Sequence, residues 1–290
     1  MVAGLGRIGK MEAILFKTLW GHQGSIGEAA AQAIEAGFGG IEGPAPEDAG
    51  EFASFAEVLR AGSLEWIAEV STETEPGTYV PRPGRSPQEH LNSLRRGIEL
   101  AMRGTPRFVN SMAGSDAWSF HEALDFYREV PALAQEFGIA ITLETHRGRF
   151  FNRPWPTFDI LEAVPDLEIT CDFSHFCVVA ERFVLDEEPT ILRRCAERTR
   201  HVQLRVGYSQ GAQVPDPRAP EYREALEAHE RWWQVVFEVL EDRGFSEVTL
   251  TPEFGPDGYL QCEPYSQRPV ADLWELNRWI GDHITQRFFV

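Results

Sequence analysis

Four short stretches govern how this chain can fold: Leu143-Glu144-Thr145-His146, Cys171-Asp172-Phe173-Ser174-His175, His201-Val202-Gln203-Leu204-Arg205 and Thr251-Pro252-Glu253-Phe254. Each closes an apolar, β-branched run and puts a carboxylate, amide or imidazole at its C-terminal end. In the run 141–146 a period of two sends Thr142, Glu144 and His146 to one face and Ile141 and Leu143 to the other. The run 169–172 repeats this with Thr170 and Asp172, and the run 248–253 with Thr249, Thr251 and Glu253. In the third stretch His201, Gln203 and Arg205 share a face while Val202, Leu204 and Val206 face away. Four strands with polar residues converging from one face have a common hub, and a metal ion is its natural occupant.

The rest of the chain alternates strand and helix. Strands are read over 13–19, 39–43, 64–70 and 107–111, and the four stretches above supply strands five to eight. Between them lie helix starts with a physical signature. Ser25-Ile26-Gly27-Glu28 is a capping box, and its helix ends near Gly37. Ser86-Pro87-Gln88-Glu89 combines a Ser cap, a Pro in the first turn and an acid at the third position. Ser119-Phe120-His121-Glu122 opens a helix that runs to Phe137. Further helices are read at 51–60, 158–163, 189–199, 220–243 and 270–288. Eight strand-helix pairs with no break in composition predict an α/β fold, a (β/α)8 barrel forming a single domain over residues 11–290. Residues 1–10, glycine-rich and weakly patterned, are expected to be a loosely held, flexible N-terminal extension. The rival, an open doubly wound sheet, needs a glycine-rich phosphate loop after its first strand; Trp20-Gly21-His22-Gln23-Gly24-Ser25 lacks the GxGxxG spacing.

Charge narrows the partners. A net charge of −18 over 290 residues repels phosphate backbones and anionic membranes, so neither nucleic acid nor membrane is expected as a partner. No apolar run has membrane-spanning length and no signal peptide is evident. The cysteines Cys171, Cys177, Cys195 and Cys262 have no disulfide or zinc-finger spacing, which fits reduced thiols in a cytoplasmic protein.

In such barrels the chemistry sits at the C-terminal ends of the strands. Glu144, Asp172, Gln203 and Glu253 fall there on four consecutive strands. Three carboxylates crowded together raise one another's pKa values, and a divalent metal removes that penalty. Mostly oxygen donors favour Mn²⁺, with Mg²⁺, Co²⁺ or Zn²⁺ as the other ions such a site can take. For any one strand-end carboxylate, a salt-bridged or hydrated barrel-mouth residue is the plainer reading; for four in succession the metal site is the better one.

The pattern resembles the xylose-isomerase-like sugar isomerase and epimerase barrels, a superfamily that also contains endonuclease IV. Its members are similar in having Glu at the end of strand five, Asp-x-x-His at strand six, His-x-His at strand seven and Glu at strand eight. Here these positions are Glu144, Asp172 with His175, His201-Val202-Gln203, and Glu253, and the resemblance spans 11–290. Gln203 departs from the usual second histidine; its amide oxygen is a weaker donor, so looser metal binding and harder ions are expected. His201, on the same face but deeper, is a fallback ligand. The resemblance implies a TIM barrel with a metal-dependent isomerase or epimerase activity on a small carbohydrate or keto-polyol. In that chemistry one of Glu144 and Glu253 removes a proton beside the carbonyl, the metal stabilises the cis-enediolate, and the other carboxylate returns a proton. The resemblance implies that His175 hydrogen-bonds a substrate oxygen or steadies Asp172, and that Arg205 offsets negative charge or orients a hydroxyl. It also suggests a homodimer.

Other residues have two readings. His146 either contacts substrate with Glu144 or is satisfied by a neighbouring carbonyl. Trp20 and His22, at the mouth of strand one, are candidate substrate walls, although barrel tryptophans more often belong to the core. The Pro-rich loop 205–218 is a candidate lid. His229, Trp232 and Trp233, at helical spacing, read as packing. Glu42 and Glu69 lie on early strands without an assigned role. Two other functions compete: a lyase or dehydratase acting on a keto-sugar or keto-glycoside with the same carboxylates, and a non-catalytic metal- or sugar-binding barrel. A nuclease is disfavoured by the acidic charge and the scattered histidines. The absence of a phosphate-cradling glycine loop near strands seven and eight mildly favours an unphosphorylated substrate.

Overall fold

A computed structural model describes residues 6–75, 78–256 and 258–290. Eight parallel strands close into a barrel in sequence order. They are β1 (Glu12–Thr18), β2 (Gly40–Pro44), β3 (Glu65–Ser71), β4 (Phe108–Met112), β5 (Ile141–Glu144), β6 (Glu168–Cys171), β7 (Thr199–Leu204) and β8 (Glu247–Pro252). The outer ring comprises α1 (Ile26–Glu35), α2 (Ala49–Gly62), α3 (Pro87–Ala101), α4 (Phe120–Phe137), α5 (Pro154–Ala163), α6 (Ser174–Ala180), α7 (Pro189–Arg198), α8 (Arg223–Asp242) and α9 (Leu273–Phe288). The expected (β/α)8 barrel is the observed fold. No helix among the described residues is long and apolar enough to cross a membrane.

The helix starts follow the caps. Ser25, Ser86 and Ser119 each accept from the N–H three residues on, and Glu28, Glu89 and Glu122 each bond back to the cap. Where the boundaries differ from the sequence reading, the cap explains the shift. Asp48 accepts from the N–H groups of Gly50 and Glu51, so α2 begins before residue 51. Asp272 caps α9 through the Glu275 N–H, which moves its start past residue 270. The helical stretch 220–243 divides into a 3₁₀ turn, Pro220–Tyr222, and α8. The short α6, unexpected from sequence, begins at Ser174 immediately beyond Asp172. Of the expected loose extension, residues 1–5 lie outside the described residues. The rest is tied down: Ile8 is buried, its N–H bonds the Phe288 carbonyl at 2.8 Å, and the Lys10 N–H reaches Glu241 Oε1 at 2.8 Å.

Alternation along the strands builds the barrel interior in layers. Phe16, Ile67 and Phe108 pack together as an apolar floor. Above it lies a buried polar layer. Asn110 Nδ2 donates to Glu42 Oε1 at 2.8 Å, Thr142 Oγ1 to Asn110 Oδ1 at 3.2 Å, and Thr142 and Thr170 share a hydroxyl bond of 2.7 Å. His201 links Thr249 Oγ1, 2.8 Å from Nδ1, to Glu42 Oε2, 3.2 Å from Nε2. These partners hold Glu42 below the usual carboxylate range even though burial pushes it upward. A polar layer satisfied in this way gives rigid support to whatever stands on top of it.

Candidate active site

Four chain segments deliver the acid cluster. Glu144 ends β5, Asp172 follows β6, Gln203 lies near the end of β7, and Glu253 follows β8. Thr145 fixes the spacing of the first two: its hydroxyl donates to the Asp172 carbonyl and accepts the Asp172 N–H, each at 2.8 Å. Pairing of Gln203 with Thr251 sets β7 beside β8, and Gln203 Nε2 donates to Glu253 Oε1 at 2.9 Å. Ligand atoms of Glu144, Asp172 and Glu253 all lie within 4.8 Å of one another. A second group, Glu144 with His146 and His175, meets the same spacing.

The cluster already contains one cation. The Arg205 guanidinium, 1% exposed, forms a short ion pair with Asp172 Oδ2 and stands 3.4 Å from Glu253 Oε2. It also donates to the Glu253 carbonyl at 3.3 Å and to His175 Nε2 at 2.8 Å. Burial would push the Asp172 carboxyl upward, but Arg205, then His175 and Ser174, hold it far below the usual range. Glu144 and Glu253 go the other way. Burial pushes both well up; the charge of Asp172 adds to it at Glu144 and the charge of Glu144 adds to it at Glu253, while Arg205 pulls each back. The site therefore separates one firmly ionised carboxylate from two that hold protons more readily.

The donor set fits a divalent metal. Three carboxylates converge, and Gln203 Oε1 is buried without a hydrogen-bond partner, its amide nitrogen being the atom engaged by Glu253. Asp172 Oδ1 accepts from Ser174 and Oδ2 from Arg205, which leaves further lone pairs on each oxygen. His201 is committed to Glu42 and Thr249 below, so it does not reach the cluster as the fallback ligand.

A cavity of about 250 Å³ opens beside the cluster. Its lining includes Glu144, Glu253, Arg205 and His146 together with Glu69, Ser71, Met112 and Tyr79, with Trp20 and Tyr259 among its walls. Trp20 and Tyr259 meet edge to face at 4.9 Å, and Arg205 lies 4.8 Å from the Tyr259 ring centre. Gly255 is required here, because a Cβ would fall 1.9 Å from the Trp20 ring. His146 lines the cavity, and its Nδ1 lies on the Arg147 carbonyl at 2.5 Å, the neighbouring carbonyl of its second reading. That bond leaves Nε2 facing the Tyr259 hydroxyl at 3.5 Å.

Not every expected residue arrives. His22 does not line this cavity: its Nε2 sits 3.1 Å from the Ser25 carbonyl in an outer hollow between the loops that follow β1 and β2. His175 is fully buried beneath Arg205, 3.4 Å from Asp172, rather than on the cavity wall, and burial lowers it to about 4. The candidate lid is tied down beside the barrel mouth, and beyond Arg205 none of its residues lines the cavity. Gln213 bonds Gly255 in both directions, at 2.8 and 3.3 Å, and the Val214 N–H reaches the Val206 carbonyl. His229 packs as expected and also accepts the Gly207 N–H at 3.2 Å, which anchors the base of that loop.

Sequence reasoning missed Tyr79 and Tyr259, each in an irregular loop where no periodicity marks direction. It also missed Arg149, a buried guanidinium that donates to the carbonyls of Thr72, Gly114 and Tyr79 and so holds the loop carrying Tyr79.

Comparison with known proteins agrees with this architecture. The family model described as Xylose isomerase-like TIM barrel matches residues 30–275. Among solved structures, a D-allulose 3-epimerase from Methylomonas sp. is 15% identical with a TM-score of 0.62, covering 99% of this chain and all of that one. An L-ribulose 3-epimerase is 15% identical with a TM-score of 0.63, covering 96% and 94% of the two chains. Endonuclease IV from Thermus thermophilus is 14% identical with a TM-score of 0.55, covering 95% and 98%. A search of curated proteins gives no match. Likeness at this identity speaks to fold alone, and the match of the family model over most of the length goes further: this chain belongs to the xylose isomerase-like TIM barrel family.

Proposed function

We propose that the protein is a metal-dependent isomerase or epimerase of a small carbohydrate or keto-polyol, with Glu144 and Glu253 as its paired acid and base. One observation carries this reading: ligand atoms of Glu144, Asp172 and Glu253 lie within 4.8 Å of one another, and Glu144 and Glu253 both line one monosaccharide-sized cavity. A general acid-base must stand within reach of the substrate proton it moves, and both glutamates line the cavity. Glu144, Asp172, Gln203 and Glu253 would hold the ion, with Mn²⁺ the best match to the donor set. Bound there, the ion would supply a Lewis acid for negative charge growing on neighbouring substrate oxygens.

The chain's own groups supply the rest. One glutamate removes the proton from the carbon next to the carbonyl, and the other returns a proton to the opposite face or the adjacent carbon. Arg205, fixed by Asp172, keeps a positive charge within reach of the developing anion. Trp20, Tyr79 and Tyr259 form an aromatic wall that limits water around it. Similarity to epimerases of D-allulose and L-ribulose supports a free ketose as the substrate.

The test is metal analysis of the untreated protein followed by incubation of the Mn²⁺-loaded protein with ketoses in deuterated water. Deuterium at a sugar carbon without loss of a group is expected, and Glu144→Gln or Glu253→Gln abolishes it. Release of water or an aglycone would replace the isomerase by the lyase. Metal retained without any exchange would leave a binding barrel.

A further inference from the structure

Two inward glutamates on the early strands have opposite fates. Glu42 is held by Asn110 and His201 in the polar layer. Glu69 lies two residues beyond Ile67 of the apolar floor, so the alternation of β3 points both residues inward. Its carboxyl lines the cavity and has no hydrogen-bond or ion-pair partner among the described residues. The side chain is partly exposed in that cavity, so its carboxyl is open to a ligand or to water. Burial, then the charge of Glu42, pushes it up to about 7.

The position is informative about what that ligand is. Glu69 and Ser71 on β3 and Met112 on β4 line the cavity opposite β7 and β8, which lead to Arg205 and Glu253, while Glu144 on β5 lies close enough for its charge and that of Glu69 to repel. A molecule whose reacting carbon sits at the acid cluster presents its other end to Glu69. The lining carries three carboxyls against one guanidinium, and that guanidinium is already paired with Asp172 and Glu253. Arg147 stands behind the lining, 4.3 Å over the Tyr259 ring and donating to the Tyr79 hydroxyl at 3.4 Å, so its guanidinium is engaged by two wall tyrosines and is not itself part of the cavity surface. A volume of about 250 Å³ falls below the roughly 300–1,000 Å³ of sites for drug-sized ligands, which limits the occupant to about one sugar unit.

We infer that Glu69 is a specificity-determining residue: it binds a hydroxyl of an uncharged polyhydroxylated ketone and excludes a phosphate or carboxylate from that end of the cavity. The inference rests on the function proposed above and names its substrate class. A hydroxyl can donate to the carboxylate or accept from the carboxylic acid, so it suits either protonation state. An anionic group meets repulsion instead, which is discrimination by an unfavourable contact.

The test compares wild type, Glu69→Gln and Glu69→Ala, all loaded with Mn²⁺. The probes are D-fructose and L-ribulose against D-fructose 6-phosphate and L-ribulose 5-phosphate. Deuterium incorporation gives kcat and KM, and calorimetry gives binding. Wild type is expected to bind and exchange at least one free ketose and to reject its phosphate. Glu69→Ala should raise KM for the free ketose by roughly 10- to 100-fold with little change in kcat. Glu69→Gln, which keeps a hydrogen-bonding group without the charge, should retain most of that affinity and lose the exclusion of phosphates. If Glu69→Ala does not fold, Glu69→Gln and the phosphate comparison carry the test. Unchanged KM in Glu69→Ala, or a wild-type preference for the phosphates, overturns the assignment while leaving the isomerase reading intact. If no ketose exchanges in wild type, the isomerase reading fails and calorimetry alone judges Glu69. Free-ketose binding weakened by Glu69→Ala then supports the assignment, and binding that is absent or unaffected overturns it.

Discussion

Replacing Arg205 by Met tests whether the acid cluster depends on an internal cation. The guanidinium is 1% exposed and touches Asp172, Glu253 and His175. Its loss strands two buried carboxylates, and breaking a buried ion pair from one side costs about 3–5 kcal/mol. At roughly 2–4 °C per kcal/mol for a chain approaching this size, chelator-treated Arg205→Met should melt about 6–20 °C below wild type at pH 7. The sign of the pH dependence follows from Asp172. Its folded pKa is depressed, so in wild type its stabilising contribution is present above the unfolded value of about 3.9 and disappears only as pH falls through the lower folded value. The variant lacks that contribution at pH 7, and Glu253 loses the one charge that pulls its raised pKa down. Protonation relieves both, so the deficit should narrow between pH 7 and pH 4. Saturating Mn²⁺ should also narrow it, because the ion supplies positive charge to the same oxygens. Thermal unfolding followed by circular dichroism, with EDTA and with Mn²⁺, measures all three effects. A deficit below about 1 kcal/mol, or one that widens on acidification, would refute the argument.

Four further substitutions probe other groups. Glu144→Gln and Glu253→Gln should each lower solvent-proton exchange by about 10²–10⁴-fold; because burial disfavours both carboxylates, the chelated variants should melt no lower than wild type. Gln203→His replaces an amide oxygen that has no partner with an imidazole donor, and calorimetry should show Mn²⁺ binding tightened by about 10-fold, or roughly 1.4 kcal/mol. Lys17 is packed against Trp274 at 4.0 Å, and burial lowers it to about 8. Since the unfolded chain binds the proton more tightly, wild-type stability rises between about pH 8 and pH 10.5. Lys17→Met should therefore stabilise the protein by about 2 kcal/mol at pH 7, after allowance for partial solvent access, and the gain should vanish near pH 10; a gain independent of pH would show that packing alone is responsible.

The fold was legible because its signals are local. Period-two runs place Thr142 and Glu144 inward, and the Ser25, Ser86 and Ser119 boxes start helices at the marked residues. The misjudged boundaries lay where one residue decides: the Asp48 and Asp272 caps determine where α2 and α9 begin, and neither shows the reciprocal bond of a full box. Residues 6–10 looked loose because two contacts, Ile8 to Phe288 and Lys10 to Glu241, join segments more than 230 residues apart. No spacing rule along the chain reports such a pairing.

The site divides along the same line. Glu144, Asp172, Gln203 and Glu253 were legible because a strand end in a barrel specifies both position and direction. His22 has the same residue-level merit, yet the turn after β1 carries it outward, and nothing in its neighbours encodes that. For Arg205 the local pattern encodes direction but not partners. Alternation along β7 put it inward, and its charge suggested a substrate partner. Its partnership with Asp172 and Glu253 depends on how three strand ends converge, which only the closed barrel defines. The same convergence makes the metal question physical rather than taxonomic. With Asp172 held by Arg205 and Gln203 holding Glu253, an incoming ion must share oxygens with groups that already stabilise them. Affinity is therefore set by a competition between a fixed guanidinium and a mobile cation. Removing the charge of Arg205 while keeping a polar side chain, as Arg205→Gln does, should tighten Mn²⁺ binding even as it destabilises the chelated protein, and unchanged affinity in that variant would mean the two cations do not compete for these carboxylates.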